Sequence, residues 1–536
     1  MSEEAILTPI ETELDAYFGQ YTAANQSRGL VYGLVSSDGL EHASGFGSAN
    51  DDGLVPDADT LFPIASLSKS FVACATLIAR DRGLLSLTDP ITKYVPEFRV
   101  RDGGRTGTSE ADPPTIGMLL SMCGGLTEDN SWVDPFTDTS MDDLLELVAK
   151  GLRLSRTPGS AYEYSNLGYA MANLALSPAV GKPLADFVKQ EIFTPLGLAC
   201  THFDRLVPDG GQRASGYTLD QAGRWLAYPT KSSQAFEGPG GIVSTVRDVA
   251  SWIAWLSSAF RPDLPANEPA VLSRASRREL QRLHVLIPPM LGLGSDGNLM
   301  LSVAGYALGL FVGHDLHRGN IIWHSGGIPG FRLYMRWHSD SGHGIVVFTN
   351  SHRGDPMSMG QAALSRVLVR ANAASSTFAP WPETFHLRAE AEALIRSWDD
   401  TRAEKVFAPN IDFDRSLAER RCEIERLRNE VGPLDAVSTN CDLVSSATPA
   451  DLTWAISGKR GQLLCMVHLT PTQPAQIQEF VVKAFPAGVP RSSMPIDISP
   501  RGARGLDQGI MAARNVRLEV DSVSTKMTEP FDHLCG

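Results

Sequence analysis

Two residues in the segment LFPIASLSKSF (61–71) have the types and spacing for acyl chemistry. Ser66 and Lys69 open an apolar run with helical periodicity, and positions i and i+3 share a helix face. A free hydroxyl is a poor nucleophile, and a lysine desolvated by its surroundings is one recognised way to activate it. A helix N-terminus also favours negative charge developing on the serine oxygen. The alternative is a serine that caps the helix and a lysine in solvent. Against it stand the apolar neighbours on both sides, and no other Ser-x-x-Lys occurs in the chain.

A second constellation is Tyr164-Ser165-Asn166, within PGSAYEYSNLGYA, the chain's one Tyr-x-Asn. A tyrosine can act as a general base when a nearby cation stabilises its phenolate. Asn166 brings an amide that both donates and accepts. A tyrosine that is merely packed is the alternative. The third is His324-Ser325-Gly326-Gly327, closing a strand predicted over 319–324. It offers a polar side chain at a strand end and backbone N–H groups that glycine lets a substrate approach. A structural histidine is the competing reading.

The elements that must hold these residues can be read from periodicity. Residues 28–37 and 40–48 predict a hairpin around Asp38-Gly39. Residues 66–83 predict a helix ended by Gly83, and 115–122, 141–150, 166–178, 183–193 and 245–259 predict further helices. Segments 303–312, 319–324, 331–338 and 343–350 predict an antiparallel meander, followed by a helix over 356–372. Strands, a helical insertion, more strands and a closing helix make an α+β fold with an antiparallel sheet flanked by helices. Residues 373–386, rich in small residues and proline, mark a boundary. The expected division is a catalytic unit over 1–375, an accessory α+β unit over 385–515 and a tail over 516–536.

Composition narrows the class. The chain has 536 residues, 43% of them hydrophobic, and a net charge of −14. That supports a folded core and disfavours nucleic acid and anionic membranes as partners. Seven cysteines (74, 123, 200, 422, 441, 465 and 535) form no Cys-x-x-Cys, and no secretory signal opens the sequence, so a cytoplasmic protein with reduced thiols is expected.

Ser66-x-x-Lys69, Tyr164-x-Asn166 and His324-x-Gly326, separated by 98 and then 160 residues, together resemble the serine β-lactamase and penicillin-recognising family, specifically its class C-like branch. The flanks PIASLSKSF, TPGSAYEYSNLGYAMANLAL, GPGGIVSTVRDVASW, YALGLFVG, WHSGGIPGFRLYM and GIVVFTNS agree in order, so the resemblance covers about 10–372. The chain departs at SMCGG (121–125), where many relatives carry His-Thr-Ser-Gly. It departs again in having His-Ser-Gly for Lys-Thr-Gly, a variant that resembles D-aminopeptidases, esterases and peptide-cyclising thioesterases more than lactam-resistance enzymes.

The resemblance implies a β-lactamase-like sheet with an all-helical insertion. It implies that Ser66 attacks a carbonyl, that Lys69 and Tyr164 share its proton, and that Asn166 orients Lys69 and binds a substrate amide. His324 would hydrogen-bond near Tyr164 and tune it. Gly326 belongs to the substrate strand, and the N–H groups of Ser66 and Gly327 would form the oxyanion hole. The implied activity is hydrolysis of an ester or amide through an acyl-enzyme, as an esterase, a D-amino-acid amidase or peptidase, or a peptide acyl-transferase. A β-lactamase or D-Ala-D-Ala carboxypeptidase, and a catalytically silent scaffold, are the alternatives. The expected partner is a small ester, amide or short peptide, and association into a homo-oligomer is left open. No cofactor and no metal are expected. His314 and His317, three apart on a strand, would point to opposite faces. The accessory unit faintly resembles small nuclear-transport-factor-type domains, with a lipocalin-like barrel as the less favoured alternative.

Overall fold

The computed structural model describes residues 9–24, 26–101, 112–130, 139–207, 212–228, 235–261, 271–293, 299–315, 318–371, 380–435, 443–446 and 448–486. Described residues up to 371 form one compact unit, and those from 380 to 486 form a second. The expected tail and the strand predicted over 516–520 lie outside the described residues, as does most of the loop predicted over 99–114.

In the first unit, strands β1 (Gly29–Ser36) and β2 (Gly39–Gly47) form the expected hairpin, with Gly39 at φ 116° in the turn. Six more strands complete the sheet: β3 (Val285–Leu286), β4 (Ala304–Tyr306), β5 (Phe311–Asp315), β6 (Gly319–Ile328), β7 (Phe331–His338) and β8 (Gly344–Thr349). Their order is β2-β1-β8-β7-β6-β5-β4-β3, with antiparallel neighbours throughout. Five helices frame it: α1 (Ile10–Ala23), α2 (Ser68–Asp81), α3 (Asn166–Val180), α4 (Val246–Ser257) and α5 (Pro356–Arg370). Leu14 and Phe18 of α1 and Leu364 and Leu368 of α5 bury one sheet face against Leu30, Tyr32 and Val347. Val31, Val35, Val346 and Phe348 point the other way, into the larger core with α2, α3 and α4. Strand β1 is therefore buried on both faces, and its unbroken apolar run follows from that.

Helix α2 is buried all round because it lies inside this core, with every residue from Ser68 to Ala79 buried. Trp252 of α4 stacks on Phe71 with ring centroids 4.2 Å apart and donates its indole N–H to Ser70 Oγ at 3.1 Å. Losing such a buried tryptophan to alanine costs about 3–5 kcal/mol, so this contact is a principal clamp on the helix that carries Lys69.

The structure changes three expectations. First, the helix starts at Ser68, and Ser66 lies in a preceding 3-10 turn, Ala65–Leu67. Ala65 has φ 48°, a left-handed conformation that breaks helical continuity one residue before the serine. No side chain caps the helix, so the capping role for Ser66 is excluded. Second, the segment 303–312 is two strands. Gly309 turns the chain between them at φ 74°, and a Cβ there would stand 2.6 Å from the Lys69 carbonyl oxygen. The glycine is the price of bringing this loop onto α2. Third, the insertion is not wholly helical. Besides Ile116–Leu120, Met141–Ala149, α3 and Leu184–Val188, it holds a small sheet of Phe62–Pro63, Ile242–Ser244 and His202–Phe203, and a hairpin of Gly216–Leu219 and Trp225–Tyr228.

The second unit is an open four-stranded antiparallel sheet, β9 (Leu443–Ser445), β10 (Asp451–Gly458), β11 (Gly461–Leu469) and β12 (Ile477–Pro486), in sequential order. Helices α6 (Pro382–Arg396), α7 (Asp400–Val406) and α8 (Leu417–Val431) bury Leu394, Ile395, Val406 and Leu427 against Trp454, Leu463 and Val467. Among the described residues the sheet does not close, and strands with helices packed on them make an α+β accessory domain. No helix among the described residues is long and apolar enough to cross a membrane.

Candidate active site

The 3-10 turn of Ala65–Leu67 presents Ser66 beside the buried Lys69. Holding alanine in the left-handed region costs about 1–3 kcal/mol, which the surrounding core must offset. Lys69 Nζ lies 2.9 Å from Ser66 Oγ, 2.6 Å from Asn166 Oδ1 and 3.0 Å from the carbonyl oxygen of Pro239. Burial lowers the Lys69 pKa to about 7, and the charge of Asp129 works against that fall. Two of the three partners are carbonyl oxygens, which only accept. A neutral Lys69 therefore keeps its two N–H bonds on Asn166 and Pro239 and turns its lone pair to Ser66. That arrangement can take a proton from the serine hydroxyl.

Tyr164 precedes α3, whose first turn is capped by Ser165 Oγ accepting from Gly168 N at 3.0 Å. The Tyr164 ring lies 5.0 Å from Lys69 Nζ. Burial pushes the Tyr164 pKa up, and the Ser66 side chain opposes the rise. The segment 121–125, where the sequence departs from the relatives, anchors this loop. Glu163 N donates to the Met122 carbonyl at 2.8 Å and Gly159 N to that of Cys123 at 2.7 Å. Tyr164, Asn166, Ser66 and Lys69 are thus in one place, as the motif order predicts.

His324 is buried on β6. Its Nδ1 lies 2.6 Å from the Ser325 carbonyl oxygen and its Nε2 lies 3.0 Å from the Tyr306 hydroxyl. A carbonyl only accepts, so the proton sits on Nδ1, Nε2 is a bare acceptor, and Tyr306 donates to it. Burial, and then the charge of Lys69, lower the His324 pKa to about 3, so the imidazole stays neutral. The hydrogen bond of His324 thus lies near Tyr164 and is made to Tyr306, which meets the Tyr164 ring edge-on with centroids 6.3 Å apart.

A Cβ on Gly326 would stand 2.6 Å from the Ile64 carbonyl oxygen and 2.9 Å from Leu67 Cδ1, so only glycine lets β6 pack against the serine turn. Gly327 faces outward, next to the Arg332 guanidinium. Strand β5 pairs with β6 only as far as Trp323, and β7 follows it to Ile328. From His324 onward, one edge of β6 has no strand partner among the described residues.

The sequence reading missed Asp129, Pro239 and Tyr306. Asp129 lies in GLTEDN, which carries no motif, while Pro239 and Tyr306 lie in the flanks GPGG and YALGLFVG, whose agreement was the available signal. Among the described residues no group of three or more His, Cys, Asp or Glu could hold a metal. His314 hydrogen-bonds Asn320 at 3.0 Å, and His317 lies outside the described residues.

A family model described as Beta-lactamase matches residues 14–368, which includes every residue placed above. The chain belongs to the Beta-lactamase family. Membership of this Beta-lactamase family brings the serine-hydrolase type of mechanism with the fold. A penicillin-binding protein of Bacillus subtilis (strain 168) is 25% identical over 63% of this chain and 71% of its own length. Protein flp of Staphylococcus aureus (strain N315) is 24% identical over 54% of this chain, which spans about half (53%) of that relative. Two solved structures share the fold. An octameric penicillin-binding protein homologue from Pyrococcus abyssi has a TM-score of 0.56 at 18% identity, covering 89% of this chain and 91% of its own. A D-stereospecific amidohydrolase from Streptomyces sp. has a TM-score of 0.50 at 20% identity, covering 66% and 98%.

Proposed function

We propose that this chain hydrolyses a small ester or amide through an acyl-enzyme on Ser66, with Lys69 as general base and Tyr164 as the group that returns the proton to the leaving atom. The observation that carries the reading is the triple contact of Lys69 Nζ with Ser66, Asn166 and Pro239. Lys69 takes the serine proton as Oγ bonds to the substrate carbonyl carbon. Tyr164 then passes its proton to the departing alcohol or amine as the scissile bond breaks; in deacylation the phenolate takes a proton from the attacking water, and the Lys69 ammonium returns the serine proton to Oγ as the acid leaves. The N–H groups of Ser66 and Gly327 receive the oxyanion.

The substrate class we favour is an ester, or a D-amino-acid amide, with no carboxylate beside the scissile bond. His324 supports this, because its Nδ1–H is committed to Ser325, its Nε2 accepts from Tyr306, and it carries no positive charge for an anion. The description of the Streptomyces relative as a D-stereospecific amidohydrolase agrees with the amide option.

A fluorophosphonate probe should label the chain on the Ser66 peptide, and Ser66→Ala should abolish both labelling and turnover. Parallel assays with p-nitrophenyl esters, D- and L-alanine anilides and a chromogenic cephalosporin rank the substrate classes. Turnover of the cephalosporin above the esters would overturn the carboxylate-free reading, and full activity in Ser66→Ala would overturn the whole. The base must be neutral to act, so kcat/KM should rise as pH passes about 7, where Lys69 loses its proton. A rate that falls across that interval contradicts the assignment.

A further inference from the structure

We propose that Asp129 is a positioning residue: it fixes which end of the Asn166 amide meets Lys69, and it holds a negative charge behind that contact. The proposal rests on the reading of Ser66 as nucleophile and Lys69 as base.

Asp129 is buried at 5% exposure and belongs to none of the motifs. Its Oδ1 accepts from Asn166 N at 2.7 Å and from Asn166 Nδ2 at 3.1 Å. Its Oδ2 accepts from Leu167 N at 2.8 Å and from Ser165 Oγ at 3.0 Å. Two of these donors are free N–H groups of the first turn of α3, where a carboxylate is favoured. The helix already has a cap in Ser165, so what Asp129 adds is a hold on the Asn166 side chain.

An amide presents its oxygen or its nitrogen with nearly the same shape, and only its partners decide between them. Both partners of Asn166 Nδ2 are acceptors, Asp129 Oδ1 and Asn130 Oδ1, the latter at 2.9 Å. Oδ1 is thereby turned to Lys69. A flipped amide would set N–H against the ammonium and oxygen against the carboxylate.

The groups facing Lys69 are Ser66, Asn166, the Pro239 carbonyl, the rings of Tyr164 and Tyr169, and neutral His324. Asp129 is the carboxylate whose field reaches it. Removing that charge makes the ammonium less favourable, so Lys69 would lose its proton at a lower pH. Freeing the amide would let Asn166 donate to the lysine lone pair in place of Ser66.

The test is Asp129→Asn in the full chain, assayed with p-nitrophenyl acetate across pH. The expected result is a fall in kcat of about 10²-fold, the lower end of what a positioned base contributes. The acidic limb of the rate profile should also move down by about one pH unit. Ser165→Ala breaks the cap and one bond to Asp129 but leaves the charge, so it should lower Tm and leave the limb in place. A folded Asp129→Asn whose limb does not move overturns the proposal. If Asp129→Asn does not fold, Asp129→Glu carries the test: it keeps a carboxylate but spoils its fit to the Asn166 amide, so the rate should fall, and an unchanged rate overturns the proposal. Ser66→Ala that still turns over the ester overturns the underlying reading, a separate outcome.

Discussion

Lys69→Met is expected to lower kcat by about 10²- to 10⁴-fold, the range lost with a positioned general base. Methionine fills nearly the same unbranched volume, so the core around α2 keeps its packing and the loss reports chemistry. The Ser66 hydroxyl would remain near Tyr164, but no amine would be placed to take its proton. Stability should change in a way that identifies the lysine. Its pKa is lowered from 10.5 to about 7 in the folded chain. Between those values the unfolded chain binds a proton that the folded chain lacks, so folding becomes more favourable as pH rises through that window. Below about 7 both states are protonated, and above 10.5 neither is. In Lys69→Met this contribution to the rise of Tm with pH should vanish. A variant with activity within about threefold of the parent would refute the role of the lysine, given the size of loss expected.

Gly326→Ala is expected to harm turnover far more than folding. The new Cβ would meet the Ile64 carbonyl oxygen at 2.6 Å and Leu67 Cδ1 at 2.9 Å, the two flanks of the turn that carries Ser66. Overpacking of this kind typically costs about 1–3 kcal/mol. Relief must come from moving the serine turn away from β6, and a displacement of about 1 Å at a nucleophile costs about 10²-fold in rate. Gly313→Ala is a useful comparison, because its nearest neighbour is the ring edge of Trp323 at 3.0 Å. Thermal denaturation and steady-state rates on both variants separate the effects. Equal activity loss in the two would argue that no special fit exists at Gly326.

Periodicity was a good guide where burial has one rhythm. Strand β7 and helix α3 lie close to their predicted limits, since each carries a continuous pattern between clear turn residues. It failed where a long-range contact overrides the local signal. The break before Ser68 depends on Ala65 adopting a positive φ, which no propensity of alanine announces. The split of 303–312 depends on Gly309 resting against the backbone of Lys69, some 240 residues earlier in the chain. At the site, Ser66, Lys69, Tyr164 and Asn166 were legible because their spacing follows a motif. Asp129 was not, because a carboxylate that binds a helix start four ways looks in sequence like any surface acid. The hydrogen-bond partner of His324 was not legible for a related reason. Its Nε2 meets the Tyr306 hydroxyl, a partner that sequence spacing does not disclose.

The polar contacts of Lys69 span 97 residues to Asn166 and 170 to Pro239, so the site is made almost wholly of distant pieces of chain. Closing such loops is slow, and a chain of this size passes through collapsed states with helices but unfinished pairing. Such states hold a serine and a lysine one helical turn apart and still lack the groups that aim the amine. Recovery of turnover after dilution from denaturant should therefore lag the return of the helical circular-dichroism signal, making ester hydrolysis a clock for the last long-range step of folding.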